Sequence, residues 1–233
     1  MFEKEVHYVY SFRFDDGETV DFELRVDSQN RNLKNSLQLP QEFARFARFD
    51  RYCCDNCQNS RKSDEIYCPV ASNLFAVTLP FKSHRSYDDV VTEVQASQRS
   101  YYKRSSLQQG LQSLFGLVMA TSDCAHLRFL SPMALFHLPF ADENETMLRV
   151  LGLYLLEQHL SAPELPIDLE GLSERYKRVE KVNKAIAERI AAIEQEDAAR
   201  NALVILDTFI KMFSLEYELG LDKLRSLFSE LSP

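Results

Sequence analysis

An Asp15-Asp16-Gly17 step lies between two runs, His7 to Phe14 and Glu18 to Val26, in which aromatic and β-branched residues alternate with polar ones. Alternation at a period of two puts the apolar side chains on one face of a strand, and Asp-Gly is the backbone signal for a tight reversal. The chain therefore opens with an antiparallel hairpin, with Phe12, Phe14, Val20, Phe22 and Leu24 on its buried face. The stretch Ser86 to Tyr102 alternates again through Val90, Val91, Val94 and Ala96, and is expected to add a strand to the same sheet. Leu37 to Tyr52 is ambiguous: Phe43, Phe46 and Phe49 recur at a helical spacing of three, yet the hairpin would gain from another strand.

The remainder reads as helix. Pro69 after Cys68 is a helix start, since proline is tolerated in the first turn. Leu107, Leu111, Leu114, Phe115, Val118 and Met119 recur at helical spacing from Ser106 onward. Asp142 with Glu145 forms a capping box, opening a helix that runs to about His159. Ser161-Ala-Pro-Glu-Leu-Pro166 then breaks the chain. Beyond it, Leu172, Val179, Ile186 and Ile193 fall at intervals of seven, with Tyr176, Asn183 and Ile190 as the companion row. Such a stripe seeks either Leu203, Leu206, Phe209, Ile210 and Phe213 of a returning helix or a second copy, as a homodimer through residues 168–213. The expected class is α+β. Residues 1–160 form a small antiparallel sheet with helices and a cysteine-rich loop (53–68), and residues 165–233 form a helical hairpin or bundle.

Composition removes several function classes. Lysine and arginine number 27 against 35 aspartates and glutamates, a net charge of −8, which argues against nucleic acid as a partner. The arginines at 45, 48 and 51, interleaved with phenylalanines, do not outweigh that sign. Six glycines without the required spacing exclude a P-loop and a dinucleotide-binding turn. The uncharged run Ser105 to Ser122 carries three glutamines and several serines, so it reads as an amphipathic helix and no membrane partner is expected. Charged residues within Met1 to Phe14 leave no apolar signal core, and a cytoplasmic location follows as the expectation. Five cysteines, an odd number, then point to thiol, metal or redox roles rather than a disulfide framework.

Cys54-x-x-Cys57, Cys68-Pro69 and Cys124 are the residues with metal-ligand character. A C-x-x-C turn sets two thiolates on one side of an ion, and tetrahedral zinc would be completed by Cys68 and Cys124, or by His126 or His137 in place of one of them. An iron–sulfur cluster is the lesser alternative. Buried structural thiols and a redox dithiol use the same residues. Cys68, at a helix start, is expected to have a depressed pKa. Cys124 with His137 is the candidate nucleophile and base for an enzyme. Arg99, in Gln98-Arg-Ser-Tyr101 before a helix, is a candidate anion contact. The leading expectation is a zinc-binding regulatory or interaction module with an unidentified protein partner. The alternatives are a thiol-dependent enzyme or redox protein using Cys68 or Cys124 with His137, and an adaptor dimerising through its C-terminal helices.

The chain resembles an uncharacterised bacterial family, mostly proteobacterial. The resemblance spans nearly its whole length and rests on the order of Cys54-Asp-Asn-Cys57, Cys68-Pro-Val-Ala71, Gln98-Arg-Ser-Tyr101, Thr121-Ser-Asp-Cys124, Phe136-His-Leu-Pro-Phe140 and Asp197 to Asp207. The sequence departs from that pattern in carrying Asp123 where glycine is expected and Ala125 where proline is expected. The resemblance implies no reaction. It does imply that the cysteine loop and the Cys124 to Phe140 segment share one functional region.

Overall fold

The computed structural model describes residues 3–35, 37–57, 65–162, 164 and 168–194. Strands β1 (Glu5–Phe14) and β2 (Thr19–Asp27) form the expected hairpin, and Gly17 at its turn adopts φ 92°, the left-handed region that favours glycine. The Ser86–Tyr102 stretch holds two strands rather than one. The strand β3 (Asp89–Ala96) turns at Ser97–Arg99 and returns as β4 (Ser100–Ser106). The polar Gln98-Arg99 pair is that turn, and the charged β4 is the edge of the sheet. Strand order is β2-β1-β3-β4, antiparallel throughout.

Register gathers the aromatic residues. Tyr8, Tyr10, Phe12 and Phe14 lie opposite Leu24 and Phe22 on one side, and Val94, Thr92 and Val90 on the other. Along β1 and from Val90 to Val94 of β3 this face is closed to solvent. Val20 and Phe22, at the outer strand, are only half-buried, while Tyr8, Tyr10 and Val26 are buried in addition to the expected set. The opposite face carries the polar half of each strand, with His7 facing Glu23 and Arg13 facing Glu93 across the ladders.

Helices cover the apolar face. Phe43 and Phe46 belong to a short helical segment including α1 (Ala44–Ala47), whereas Arg48 is extended and bridges to Tyr67, so Phe49 lies in the turn beyond the helix. All three phenylalanines are buried. Pro69 opens α2 (Pro69–Thr78) with Cys68 as its N-cap. Ser106 caps α3 (Leu107–Ala120), its hydroxyl accepting from the Gln109 amide. Residues 131–135 form α4 (Ser131–Leu135), and the Asp142/Glu145 capping box opens α5 (Glu143–Ser161). The last described helix is α6 (Glu170–Glu194).

The heptad stripe of α6 is buried: Leu172, Val179, Ile186 and Ile193 are at most 1% exposed. Part of its cover is the N-terminal region, since the Arg178 carbonyl of α6 accepts from the Asn56 side-chain amide of the cysteine loop and Tyr176 meets Phe129 edge-on. The expected returning helix at Leu203 to Phe213, and with it half of the dimer seam, lies outside the described residues. Among the described residues, no helix is long and apolar enough to cross a membrane.

Candidate functional site

Backbone pairing builds the cysteine region. Phe49 and Cys68 amides donate to Ile66 and Ala47 carbonyls, which ties the Cys68 end of the loop to α1. The Cys57 amide donates to the Cys54 carbonyl at 2.8 Å, closing the C-x-x-C turn. Helix α6 lies across it: the Cys54 thiol lies 3.5 Å from the Lys181 carbonyl, and the Asn56 side-chain amide donates to the Arg178 carbonyl at 2.8 Å. Cys124 comes to the same neighbourhood from the segment after α3, preceded by Asp123. The φ of 51° at Asp123 places a left-handed residue just before Cys124, a conformation that aspartate tolerates when its side chain is held. Here Asn32 donates to its carboxylate at 2.9 Å.

These elements bring four of the five cysteines into one electrostatic neighbourhood. The Cys57 thiol hydrogen-bonds Cys54, Cys57 feels Cys68 and Cys124, and Cys68 and Cys124 each feel Cys54. That hydrogen bond, with the amides of Asn56 and Cys57 and the charge of Arg189, pulls the Cys54 pKa down from 9.0 to about 6 against the opposing effect of burial. The same bond pushes Cys57 far upward, so the pair is a thiolate beside a thiol. Burial raises Cys124 to about 11 although the His126 and Leu127 amides point at its sulfur. Cys68 is a correction. The Val70 and Ala71 amides at the start of α2 do favour its thiolate, but burial outweighs them and its pKa rises. Cys53 stands apart, its sulfur turned to the Cys54 carbonyl.

Arg189 was not legible as a site residue. It is fully buried, donates to the Ala185 and Tyr52 carbonyls, and lies over the Tyr52 ring. Among the described residues no carboxylate pairs with it, and its charge acts on Cys54 and Cys68. A buried cation is costly without a nearby anion, and the Cys54 thiolate is the anion at hand.

The other candidates separate. His126 is half-buried beside the loop, its ring near the Asn56 carbonyl, and burial with Arg178 holds its pKa down. His137 is elsewhere: its Nε2 hydrogen-bonds the Tyr10 hydroxyl, which also reaches Ser113 at 3.0 Å, and its ring meets Tyr8 edge-on. Burial depresses its pKa to about 3, so the imidazole is neutral. It lines a cavity of about 470 Å³ with Gln109, Ser113, Phe140 and Arg149. Cys124 therefore joins the cysteine loop, while His137, Leu138 and Phe140 at the far end of the same segment line this cavity instead. Arg99 is exposed at the β3–β4 turn, with the whole of β4 between it and α3. Among the described residues, no group of three or more His, Cys, Asp or Glu side chains is gathered tightly enough to hold a metal ion.

The model of a family described as a domain of unknown function, DUF6901, matches residues 8–229. No curated protein matches the chain, and no solved structure does.

Proposed function

The chain belongs to the DUF6901 family, and from that premise and the geometry of Cys54 we propose that it is a thiol–disulfide exchange module with Cys54 as nucleophile and Cys57 as resolving thiol. The observation that carries this reading is the hydrogen-bonded Cys54–Cys57 pair beside the buried Arg189. A thiolate attacks disulfides, and one with a pKa near 6 is formed at neutral pH. Cys54 attacks a small disulfide, forming a mixed disulfide and releasing one thiolate. Cys57 then attacks the Cys54 sulfur, its proton passing to the second departing thiolate. One protein disulfide, one small thiol and one small thiolate result, and two electrons leave the protein. A cytoplasmic location, which the sequence favours, would keep the pair reduced between turnovers.

A second reading is supported by the nearness of Cys68 and Cys124 to the pair: a zinc site in which the four sulfurs, with His126 as an alternative ligand, contract to about 3.5–4 Å of one another. A regulatory module built on such a site would bind metal without turning over.

One preparation separates the readings. Freshly purified protein is analysed for metal, titrated by its ultraviolet thiolate absorbance, and equilibrated with oxidised dithiothreitol. Metal-free protein showing one thiolate near pH 6 and a Cys54–Cys57 disulfide by peptide mass mapping is the expected result. Stoichiometric zinc, or a first thiolate only near pH 9.0, the ordinary thiol value, would overturn it.

A further inference from the structure

A second cavity, of about 530 Å³, opens between α5, α6 and residues 125–132. Its charged lining consists of Arg31, Arg128, Arg175 and Arg178, with His126 and the single carboxylate of Glu157. Four guanidinium groups against one carboxylate is a strong local reversal in a chain of net charge −8. Clefts lined by one sign of charge focus the field inside them and concentrate ions of the opposite sign.

Among the described residues, Arg175 alone of these cations has a carboxylate partner. Arg175 makes a two-pronged pair with Glu157 at 2.6 and 3.2 Å, and its guanidinium lies over the Tyr154 and Phe129 rings. Arg31 donates to the Ser131 hydroxyl and the Gln29 carbonyl, both neutral, and has no carboxylate partner among the described residues. It also holds a left-handed backbone, φ 63°, an uncommon conformation for arginine, fixed by its amide donating to the Asp27 carbonyl at 2.9 Å. Arg128 and Arg178 have no carboxylate partner among the described residues. Arg31, Arg175 and Arg178 are half-buried, so their charges are only partly screened by water.

We propose that this cavity binds a small, multiply charged oxyanion, a metabolite bearing phosphate or carboxylate groups. Guanidinium forks match the planar or tetrahedral oxygens of both, and the volume falls within the roughly 300–1,000 Å³ of small-molecule pockets. One wall of the pocket is shared with the thiol region, because the Arg178 carbonyl and the His126 ring both contact Asn56 inside the C-x-x-C turn. The proposal does not depend on the exchange chemistry.

Isothermal titration of the full chain with pyrophosphate and with citrate tests it. Saturable single-site binding that weakens with salt is expected for at least one probe. Arg128→Gln and Arg178→Gln should each reduce affinity roughly tenfold, as loss of a charged hydrogen bond does. Arg128 is exposed, so its substitution leaves the packing intact. A preference for pyrophosphate assigns a phosphorylated ligand, a preference for citrate a polycarboxylate, and equal binding the shared oxyanion chemistry. Absence of saturable binding by both probes, or equal affinity in wild type and the Arg128 variant, would overturn the proposal. Cys54→Ser should leave binding unchanged, which keeps this test separate from that of the thiol pair.

Discussion

Cys54 has an ordinary neighbourhood in sequence and an unusual one in space. Its lowered pKa depends first on the thiol of Cys57. Replacing Cys57 with alanine removes that donor, and the thiolate absorbance of Cys54 should move upward toward 9.0. The sign of the stability effect follows. The unfolded thiol titrates near 9.0 and the folded one near 6, so between these values the unfolded chain holds the extra proton. Stabilisation by Cys54 is complete above about pH 9.0 and is lost as pH falls toward 6. Above pH 9.0 the raised pKa values of Cys68 and Cys124 act in the opposite direction. His137 governs a lower window. Its neutral form is held by burial to about pH 3, so the unfolded state takes up a proton below 6.5 and stability declines from there to about 3. Denaturant melts of His137→Gln across that range should show a flatter pH dependence; an unchanged slope would refute the assignment.

At the scale of elements, the contact between α3 and the sheet depends on one missing side chain. A Cβ built on Gly110 would lie 2.3 Å from the Thr92 hydroxyl and 3.3 Å from the Phe12 ring. Gly110→Ala should therefore push α3 off the sheet and cost about 1–3 kcal/mol, despite the better helix propensity of alanine. The Thr92 hydroxyl is fully buried and has no hydrogen-bond partner among the described residues. Thr92→Val removes that unsatisfied group, and chemical denaturation should show it unchanged or more stable by up to about 1 kcal/mol. Hairpin, caps and helix starts were legible because each is specified within a few residues. The β3–β4 turn was not, because Ser97-Gln98-Arg99 has no glycine or proline to mark it.

For the whole molecule, Arg189 joins the two halves. It reaches from α6 to the Tyr52 carbonyl at the foot of the cysteine loop, and its charge helps hold the Cys54 thiolate. Arg189→Gln should loosen the seat of α6 on the loop, lowering stability by about 1.5–3 kcal/mol, and raise the Cys54 pKa at the same time. Calorimetry and thiolate titration on the same variant check both. A stability loss without a shift in Cys54 would show that the arginine only packs.

The sequence alone determined the α+β class, the opening hairpin, the capped helices and the apolar stripe of α6, since periodicity and capping are local properties of the chain. It also singled out Cys54, Cys57, Cys68 and Cys124 by spacing. Tertiary structure decided which of them is ionised. The start of α2 suggested Cys68, but burial reversed that and transferred the charge to Cys54, beside an arginine more than a hundred residues away. It likewise sent His137 to Tyr10 instead of Cys124, and it gathered Arg31, Arg128, Arg175 and Arg178 into one cavity of an acidic chain. Desolvation and long-range charge depend on what surrounds a group in three dimensions, and no local pattern encodes them.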